Sequence, residues 1–359
     1  MELESVLKEW GGETLVTHYD NETGAWIIIA VHSTERGPAA GGTRMMNYDS
    51  LEEATEDALK LSKAMTYKFA TVNMQWGGGK TVILTPPGIL TPEERKGLLL
   101  RFGSLVKGLN GRYYAGPDIG TSSGDMDVLY QTAGPYVFSR TEAAGGAGSS
   151  SIPTAHGVFA GIQASCDELY GASSPLGKTV LVQGAGNVGG LLMELLRKAG
   201  AKVLFTETNE DRIHKYSVEQ DYQYVNPNEI YKTACDIFAP CAQGGILSSE
   251  TIPLLKCKAV VGAANNQLAT PEDAERLRER GILYAPDYVV SLGGAMGITI
   301  IEAEGVPKEE SFENVKKAIS GTLAEIYKKS KEEGITTVKA AEYIAVRRIE
   351  KTKAKQIIE

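Results

Sequence analysis

Two lysines and one aspartate have sequence surroundings that suit proton-transfer chemistry. Lys80 follows three consecutive glycines, Lys68 lies at the end of a predicted helix, and Asp118 lies in the segment GPDIG. Two lysines that are close together and partly buried lower each other's pKa, so one can hold a carboxylate as a cation while the other acts as a neutral base. The alternative is a pair of solvated lysines and a turn-forming aspartate. The three glycines before Lys80, interpreted as a flexible turn at the start of a strand, favour the chemical interpretation.

A second group of residues fits a phosphate-binding turn. Gly184, Gly186 and Gly189 form the pattern G-x-G-x-x-G between a predicted strand and a predicted helix, and the next predicted strand ends at Glu207. The first glycine permits a tight turn, the second lets a pyrophosphate approach the backbone, and the third allows close packing of helix on strand. A carboxylate at Glu207 would accept hydrogen bonds from an adenosine ribose and repel a 2′-phosphate, which predicts NAD rather than NADP. The alternative is a glycine turn that serves packing alone.

Two other patterns resemble known sites but lack the required context, and the cysteines form no such pattern. The segment GGGKT resembles a P-loop, yet the position six residues before Lys80 is Met74 rather than glycine. Residues 120–124 fit G-x-S-x-G around Ser122, but a nucleophile elbow follows a hydrophobic strand, which is not predicted here. The four cysteines have no metal-ligand spacing, so we predict no metal site and no disulfide framework, as suits a reducing cytoplasm.

The composition of the chain excludes several classes of protein. The 359 residues exceed one average domain, so two domains are expected. The formal charge is 37 − 45 = −8, which makes nucleic acid an unexpected partner. The longest apolar run, residues 25–31, is too short to span a bilayer, and residues 1–10 do not resemble a secretory signal. We therefore expect a cytoplasmic protein with small-molecule partners and no membrane association.

The predicted strands and helices follow one pattern in the first part of the chain and another in the second part. In the first part, predicted strands cover 25–33 and 80–85, and predicted helices cover 50–67 and 91–107. After a glycine- and serine-rich linker, strands and helices alternate at 179–183, 188–198, 202–206, 236–238, 259–262 and 282–284. This alternation is typical of a doubly wound parallel sheet. The prediction is an α/β protein with a catalytic domain at 1–146, charged helices at about 331–359 that pack on it, and a Rossmann NAD-binding domain at 147–330.

Seven blocks of the chain resemble the Glu/Leu/Phe/Val amino-acid dehydrogenase family. The blocks are GPAAGGTR (37–44), KAMTYKFATVNMQWGGGKTVI (63–83), GPDIGT (116–121), QGAGNVG (183–189), CDIFAPCA (235–242), GAANNQLA (262–269) and ILYAPDY (282–288). Several of them are more similar to the phenylalanine-specific branch than to the leucine branch. The resemblance implies reversible NAD-dependent oxidative deamination of an apolar L-amino acid, phenylalanine first and leucine or valine as the alternative. It also implies a homo-oligomer.

The resemblance assigns roles to individual residues. Lys80 would activate the water that attacks the imine, Asp118 would exchange a proton with the amino group, and Lys68 would bind the substrate carboxylate. Further substrate contacts are implied at Gly42, Met65, Gly116, Asn265, Ala295 and Ile298. Cofactor contacts are implied at Arg44, Ser150, Thr154, Gly184, Gly186, Asn187, Val188, Gly189, Glu207, Thr208, Ala242, Gln243 and Asn265.

Differences from the family pattern bear on specificity. Leucine enzymes tend to have larger residues where this chain has Ala40, Gly116 and Ala295, so the sequence predicts a pocket that accommodates an aromatic ring. Glu207 replaces the usual aspartate, and Ser291-Leu292 replaces Asn-Ala. A catalytically silent NAD-binding regulator is a further alternative, but such a protein would have no need of the lysines and the aspartate.

Overall fold

The computed structural model describes residues 3–356, which form two compact units. The first unit contains the chain up to Ser149, Glu302–Glu304 and the segment from Ala345 onward, and the second contains Ser150–Ile301 and Gly305–Ile344. Of the C-terminal segment predicted to join the first domain, the part up to Ile344 therefore groups with the second unit. Within the described range, no helix is both long enough and apolar enough to cross a bilayer.

The first unit is a mixed five-stranded sheet with helices. Its strands are β1 (Thr14–Asp20), β2 (Ala25–Ser33), β3 (Ala39–Met46), β4 (Gly77–Leu84) and β5 (Tyr113–Pro117). Its helices are α1 (Leu3–Trp10), α2 (Leu51–Thr71), α3 (Pro92–Gly108) and α4 (Ser123–Ala133). The strand order is β1-β2-β4-β3-β5. Strand β2 is antiparallel to β1 and β4, and β3 is parallel to β4 and β5. This order puts the carboxyl ends of β3 and β5 side by side.

The three glycines before Lys80 lie inside strand β4, so their interpretation as a flexible turn is wrong. A Cβ atom at Gly78 would lie 2.1 Å from the backbone nitrogen of Thr66 in α2. A Cβ atom at Gly79 would lie 2.7 Å from the ring of Tyr113. The segment is glycine-rich because other parts of the chain approach its backbone closely.

Strand β3 was not predicted, because its sequence AAGGTRMM contains the glycine pair typical of a loop. A Cβ atom at Gly41 would lie 1.8 Å from the carbonyl oxygen of Gly79 in the adjacent strand. The glycine pair therefore permits this strand pairing instead of interrupting it.

The Gly41→Ala variant is expected to lose about 3 kcal/mol of unfolding free energy, because the added methyl group can only be accommodated by moving the backbone of β4. Denaturant unfolding followed by circular dichroism measures the loss. The control is Gly108→Ala at the end of α3, where a Cβ atom meets nothing within 4 Å. That variant should be as stable as the wild type or slightly more stable. Equal stability of the two variants would contradict the packing explanation.

The second unit contains a parallel six-stranded sheet. Its strands are β6 (Thr179–Gln183), β7 (Lys202–Thr206), β8 (Gln223–Tyr224), β9 (Ile237–Pro240), β10 (Ala259–Val260) and β11 (Leu283–Tyr284). The remaining helices are α5 (Ser151–Tyr170), α6 (Asn187–Lys198), α7 (Glu210–His214), α8 (Asp273–Glu279), α9 (Asp287–Val290), α10 (Gly293–Glu304), α11 (Lys308–Glu333) and α12 (Thr337–Gln356). The strand order is β11-β10-β9-β6-β7-β8, so the chain builds the sheet outward from β6, first to one side through β7 and then, after a reversal, to the other side through β9. Doubly wound sheets bind ligands at the carboxyl ends of the strands beside such a reversal.

Candidate active site

Lys80 and Asp118 form an ion pair in the first unit. Lys80 lies in β4 with its side chain 8% exposed, and Asp118 follows β5 with its side chain 25% exposed. The Nζ atom of Lys80 donates a hydrogen bond to Oδ2 of Asp118. Strand β3 lies between β4 and β5, and its Gly42 leaves the room for this pair. A Cβ atom at Gly42 would lie 2.8 Å from the Asp118 Cβ atom and 3.3 Å from the Lys80 Nζ atom.

The surroundings of this pair favour a lysine that loses its proton readily. Burial lowers the pKa of Lys80, and the nearby charge of Asp118 opposes this effect. Repulsion from Arg44 and Lys68 lowers the Lys80 pKa further. Burial alone would raise the pKa of Asp118, but Lys80, the backbone N–H of Ile119 and Arg44 keep that pKa below its usual value. A lysine of low pKa beside a charged carboxylate suits general base catalysis.

Arg44 lies between two carboxylates of the first unit. Its Nε atom is 3.4 Å from Oδ2 of Asp118. Its Nη1 atom donates a hydrogen bond of 2.8 Å to Oδ2 of Asp57, which also accepts one of 2.6 Å from the hydroxyl of Tyr48. The resemblance implies a cofactor contact at Arg44. Within its own unit, the guanidinium group forms ion pairs with Asp57 and Asp118, and its charge lowers the pKa of Asp118.

Hydroxyl groups hold the backbone around the ion pair. The backbone nitrogen of Asp118 donates to Oγ1 of Thr121 at 2.9 Å, and this hydroxyl donates to the carbonyl oxygen of Thr43 at 2.7 Å. The buried hydroxyl of Tyr113 accepts a hydrogen bond of 2.9 Å from Oγ1 of Thr81, next to Lys80. These contacts tie the loop after β5 to β3 and tie β5 to β4.

The substrate residues predicted in the first unit lie on three elements. Gly42 in β3 pairs in register with Gly116 in β5. Met65 and Lys68 lie on α2, the helix that packs against β4. All four residues are partly exposed. The electrostatic effect of Lys68 on the pKa of Lys80 places its ammonium group in the neighbourhood of the ion pair.

The G-x-G-x-x-G turn leads from β6 into α6 in the second unit. Gly184 has a φ angle of +90°, and a Cβ atom there would lie 2.6 Å from the Cβ atom of Ala242. A Cβ atom at Gly189 would lie 1.9 Å from the carbonyl oxygen of Gly184. At Gly186 the nearest atom to an added Cβ would be Nη1 of Arg212, 3.7 Å away. The turn is therefore closely packed at its first and third glycines and open at its second, as a pyrophosphate group requires.

The carboxylate of Glu207 is directed toward backbone N–H groups. Its side chain is 9% exposed. Oε2 accepts a hydrogen bond of 3.0 Å from the nitrogen of Ala185, and Oε1 accepts from the nitrogens of Thr208 at 2.7 Å and Asn209 at 3.1 Å. Burial alone would raise the pKa of Glu207, but these hydrogen bonds lower it, with a further contribution from Arg212. The predicted contact of Glu207 with an adenosine ribose stays a prediction.

Other predicted cofactor residues follow the strands of the second sheet. Ala242 and Gln243 follow β9, Thr208 follows β7, and Asn265 follows β10. A Cβ atom at Gly244 would lie 2.5 Å from the carbonyl oxygen of Asn265, so the loops after β9 and β10 are in contact. Asn187 and Val188 begin α6. These residues share the carboxyl edge of the sheet with the glycine turn.

The remaining predicted residues lie where two helices of the second unit begin. Ser150 and Thr154 are at the start of α5, and Oγ1 of Thr154 donates to the carbonyl oxygen of Ser150 at 2.7 Å. A Cβ atom at Gly294 would lie 2.4 Å from Oγ1 of Thr154, so the starts of α5 and α10 are in contact. Helix α10 carries Ala295, which is partly exposed, and Ile298, which is buried.

Ser122 and the four cysteines, which were not assigned to a site from the sequence, have a structural role or are at least partly buried. Ser122 is the N-cap of α4, and its hydroxyl donates a hydrogen bond of 2.8 Å to Oδ2 of Asp125. The four cysteines are free thiols. Burial raises the pKa of Cys166 and that of Cys241 to about 11, so both thiols are protonated at neutral pH.

The sequence interpretation missed Asp57, Tyr48 and Arg212. Asp57 lies in α2 between the buried residues Ala54 and Ala58, and a charged residue at such a position was the available signal. Arg212 follows Glu207 by five residues. Arginines near the acid that ends the second Rossmann strand are candidates for ribose or phosphate contacts.

Known proteins resemble this chain over nearly its whole length. A family model described as "Glu/Leu/Phe/Val dehydrogenase, dimerisation domain" matches residues 18–134, and one described as "Glutamate/Leucine/Phenylalanine/Valine dehydrogenase" matches residues 204–356. The chain is 41% identical to leucine dehydrogenase of Geobacillus stearothermophilus, covering 98% of this chain and 94% of that protein. It is 42% identical to phenylalanine dehydrogenase of Lysinibacillus sphaericus, covering 92% and 86%. L-tryptophan dehydrogenase from Nostoc punctiforme is similar in structure, with a TM-score of 0.86, 35% identity, and coverage of 98% and 100%.

These similarities confirm the predicted family and the two-domain α/β fold with a Rossmann-type sheet. They also confirm the prediction of NAD, which the leucine and phenylalanine dehydrogenases of this family use. The relatives include both leucine and phenylalanine dehydrogenases, so they do not distinguish the predicted substrates. The chain belongs to the Glu/Leu/Phe/Val dehydrogenase family and is an amino-acid dehydrogenase.

Proposed function

We propose that the protein oxidatively deaminates a large apolar L-amino acid to its 2-oxo acid and ammonia with NAD. L-Phenylalanine is the proposed preferred substrate. The observation that carries this proposal is the buried Lys80–Asp118 pair, in which the lysine pKa is lowered and the carboxylate stays charged. The reaction needs one group that takes a proton from the substrate ammonium and another that activates water, and the two residues meet these needs.

Each charged residue of the candidate site in the first unit has a part in this reaction. The Lys68 ammonium binds the substrate carboxylate, and the charged Asp118 takes a proton from the substrate ammonium, so that its nitrogen can form the imine. Bound NAD would supply the hydride acceptor for the α-carbon. Neutral Lys80 takes a proton from the water that attacks the imine carbon, and Asp118 returns its proton to the departing ammonia. The C–N bond breaks as the C=O bond forms, and the hydroxyl proton released in this step passes to solvent, as does the proton held by Lys80. Burial, together with the charges of Arg44 and Lys68, lowers the pKa of Lys80 and so favours the neutral form that water activation needs.

The second unit provides a turn that suits NAD. The open backbone at Gly186 and the start of α6 suit the pyrophosphate, because free backbone N–H groups at a helix N-terminus bind phosphate. Ala242 packs so closely on the turn that no side chain would fit at Gly184, whose φ angle is also positive. We assign the other predicted cofactor residues along the same strand edge to the rest of the dinucleotide.

We also propose a homo-oligomer in the cytoplasm. The oligomer is supported by the match of residues 18–134 to a domain described as a dimerisation domain. The cytoplasm is supported by the four free thiols, which suit a reducing compartment.

The preference for phenylalanine rests on space beside Gly116. A Cβ atom at Gly116 would meet only the carbonyl oxygen of Gly41, at 3.9 Å, so this position leaves room for a large side chain. Ala40 on β3 is a further small residue of the same unit. The second candidate is a branched-chain amino acid, which the 41% identity to a leucine dehydrogenase supports.

A panel of L-amino acids tests the proposal, with NADH formation at 340 nm as the measurement. We expect the highest kcat/KM for phenylalanine, lower values for leucine and valine, and no measurable turnover of glutamate, whose charged side chain would have to enter an apolar space. Turnover of none of these would contradict oxidative deamination of apolar amino acids. A higher kcat/KM for leucine or valine than for phenylalanine would establish the second candidate instead.

The double variant Gly116→Ala plus Ala295→Val tests whether these two predicted substrate positions limit the size of the substrate. Larger side chains at both positions should lower kcat/KM for phenylalanine relative to leucine by about 10-fold or more, because a methylene group in an apolar pocket is worth about 1–3 kcal/mol. Gly108→Ala, with open space around it, is the control and should leave the ratio unchanged. An unchanged ratio in the double variant would show that these positions do not limit substrate size.

A further inference from the structure

We propose that Arg212 sets cofactor choice at the adenosine ribose, and that this protein therefore accepts NADP as well as NAD. The inference rests on the proposed binding of the dinucleotide at the glycine turn. It concerns one end of the cofactor, where the sequence alone predicts rejection of a 2′-phosphate by Glu207.

The Glu207 carboxylate has little capacity left for a ribose. A carboxylate has about four lone-pair sites. Three backbone N–H groups occupy Glu207, two on Oε1 and one on Oε2. The remaining side of Oε2 has Nη1 of Arg212 at 3.7 Å. One acceptor site is left for a ribose hydroxyl, on the side of Oε2 that faces Arg212, so the carboxylate serves mainly to hold the turn and the segment after β7.

Arg212 lies where a ligand on the turn would meet it. Its Nη1 atom is within 3.7 Å both of Oε2 of Glu207 and of the position that a Cβ atom at Gly186 would take. Its backbone nitrogen donates to Oδ1 of Asn209 at 3.0 Å, which fixes the start of α7. The Arg212 side chain is 49% exposed, so its guanidinium donors are accessible to a ligand.

The charges around Glu207 differ from those around a carboxylate that has no cation beside it. An uncompensated carboxylate at the end of the second Rossmann strand repels a 2′-phosphate, whereas a nearby arginine accommodates one. Here the carboxylate is compensated by backbone dipoles and by a guanidinium group, and the guanidinium group can bind phosphate oxygens in a bidentate manner. The repulsion predicted from the sequence is therefore weakened, and an attraction is added.

Calorimetric titration of the full-length protein with NADH and with NADPH tests the inference without depending on activity. We expect the wild type to bind NADPH with a Kd less than about 100-fold above that for NADH. Arg212→Gln should weaken NADPH binding by about 10-fold or more, and NADH binding by less than about threefold, because the variant loses the charged hydrogen bonds to the 2′-phosphate. The control is Arg278→Gln on α8, which also removes a half-exposed, ion-paired arginine and should change neither Kd.

The outcomes separate this inference from the proposed function. If the wild type binds NADH but binds NADPH more than about 100-fold more weakly, the inference is overturned and the proposed function stands. If Arg212→Gln weakens both dinucleotides equally, or neither, Arg212 does not set cofactor choice and the inference is overturned. If neither dinucleotide binds to the wild type, the proposed function fails together with the inference.

Discussion

Replacing Lys80 by methionine is expected to lower kcat for oxidative deamination by about 10²–10⁴-fold, the usual effect of losing a general base. Methionine keeps most of the side-chain volume in this buried position, so the loss reports on the amine and not on a cavity. Stopped-flow measurement of NADH formation at saturating amino acid gives the rate, and calorimetric titration with NADH shows whether the second unit still binds its cofactor.

The matched control for this variant is Lys60→Met on α2. Lys60 is exposed, and its replacement removes the same charge without touching the ion pair. We expect wild-type kcat within about twofold, since surface substitutions of this kind have small effects. If Lys80→Met retained more than about a tenth of the wild-type kcat, Lys80 would not be the base and the proposed mechanism would be wrong.

The Asp118→Asn variant is expected to lose about 10²-fold or more in kcat/KM, because its amide cannot take the proton of the substrate ammonium. The variant should also change the pH profile in a defined direction. Lys80 is active when neutral, so the rate rises as the pH passes through the Lys80 pKa. The charge of Asp118 raises that pKa, so its removal lets burial, Arg44 and Lys68 lower the pKa further. The ascending limb of the profile should therefore move to lower pH.

Asp57→Asn is the matched control for the Asp118 variant. Asp57 is hydrogen-bonded to Arg44 and Tyr48, whereas the hydrogen bond of the Lys80 ammonium goes to Asp118. Its loss should leave the ascending limb near the wild-type position. A residual activity of Asp118→Asn whose ascending limb stays in place, or moves to higher pH, would contradict the assigned coupling between the two residues.

The second unit was largely predictable because its signals are local in the chain. Strand and helix periods alternate over short segments, and the glycine spacing of the turn lies within six residues. The short strand β8 was missed, since its two residues contain no periodic pattern. The direction of the Glu207 carboxylate could not be predicted, because one of its partners is Ala185, which follows the adjacent strand β6 and lies 22 residues earlier in the chain.

The first unit shows the limit of such prediction at the site itself. Its motifs indicated the residue types, a lysine of lowered pKa and an acid, and the structure places Lys80 and Asp118 in contact. The glycines of the motif led to a wrong interpretation of residues 77–79 as a turn, and the glycine pair Gly41-Gly42 led to the omission of β3. A glycine in a loop and a glycine under a crossing chain look alike in sequence, and only the neighbouring backbone distinguishes them.

The amino-acid sequence by itself determined the family, the alternation of the Rossmann unit and the candidate reactive groups, because each of these depends on residue types at fixed local spacing. The tertiary structure decided which groups act on one another. Asp118 and Arg44 reach Lys80 only because β3 lies between β4 and β5, and Arg212 reaches Glu207 only through the fold of the segment after β7. The pKa of a buried group depends on distances between residues far apart in the chain, and no local pattern contains those distances.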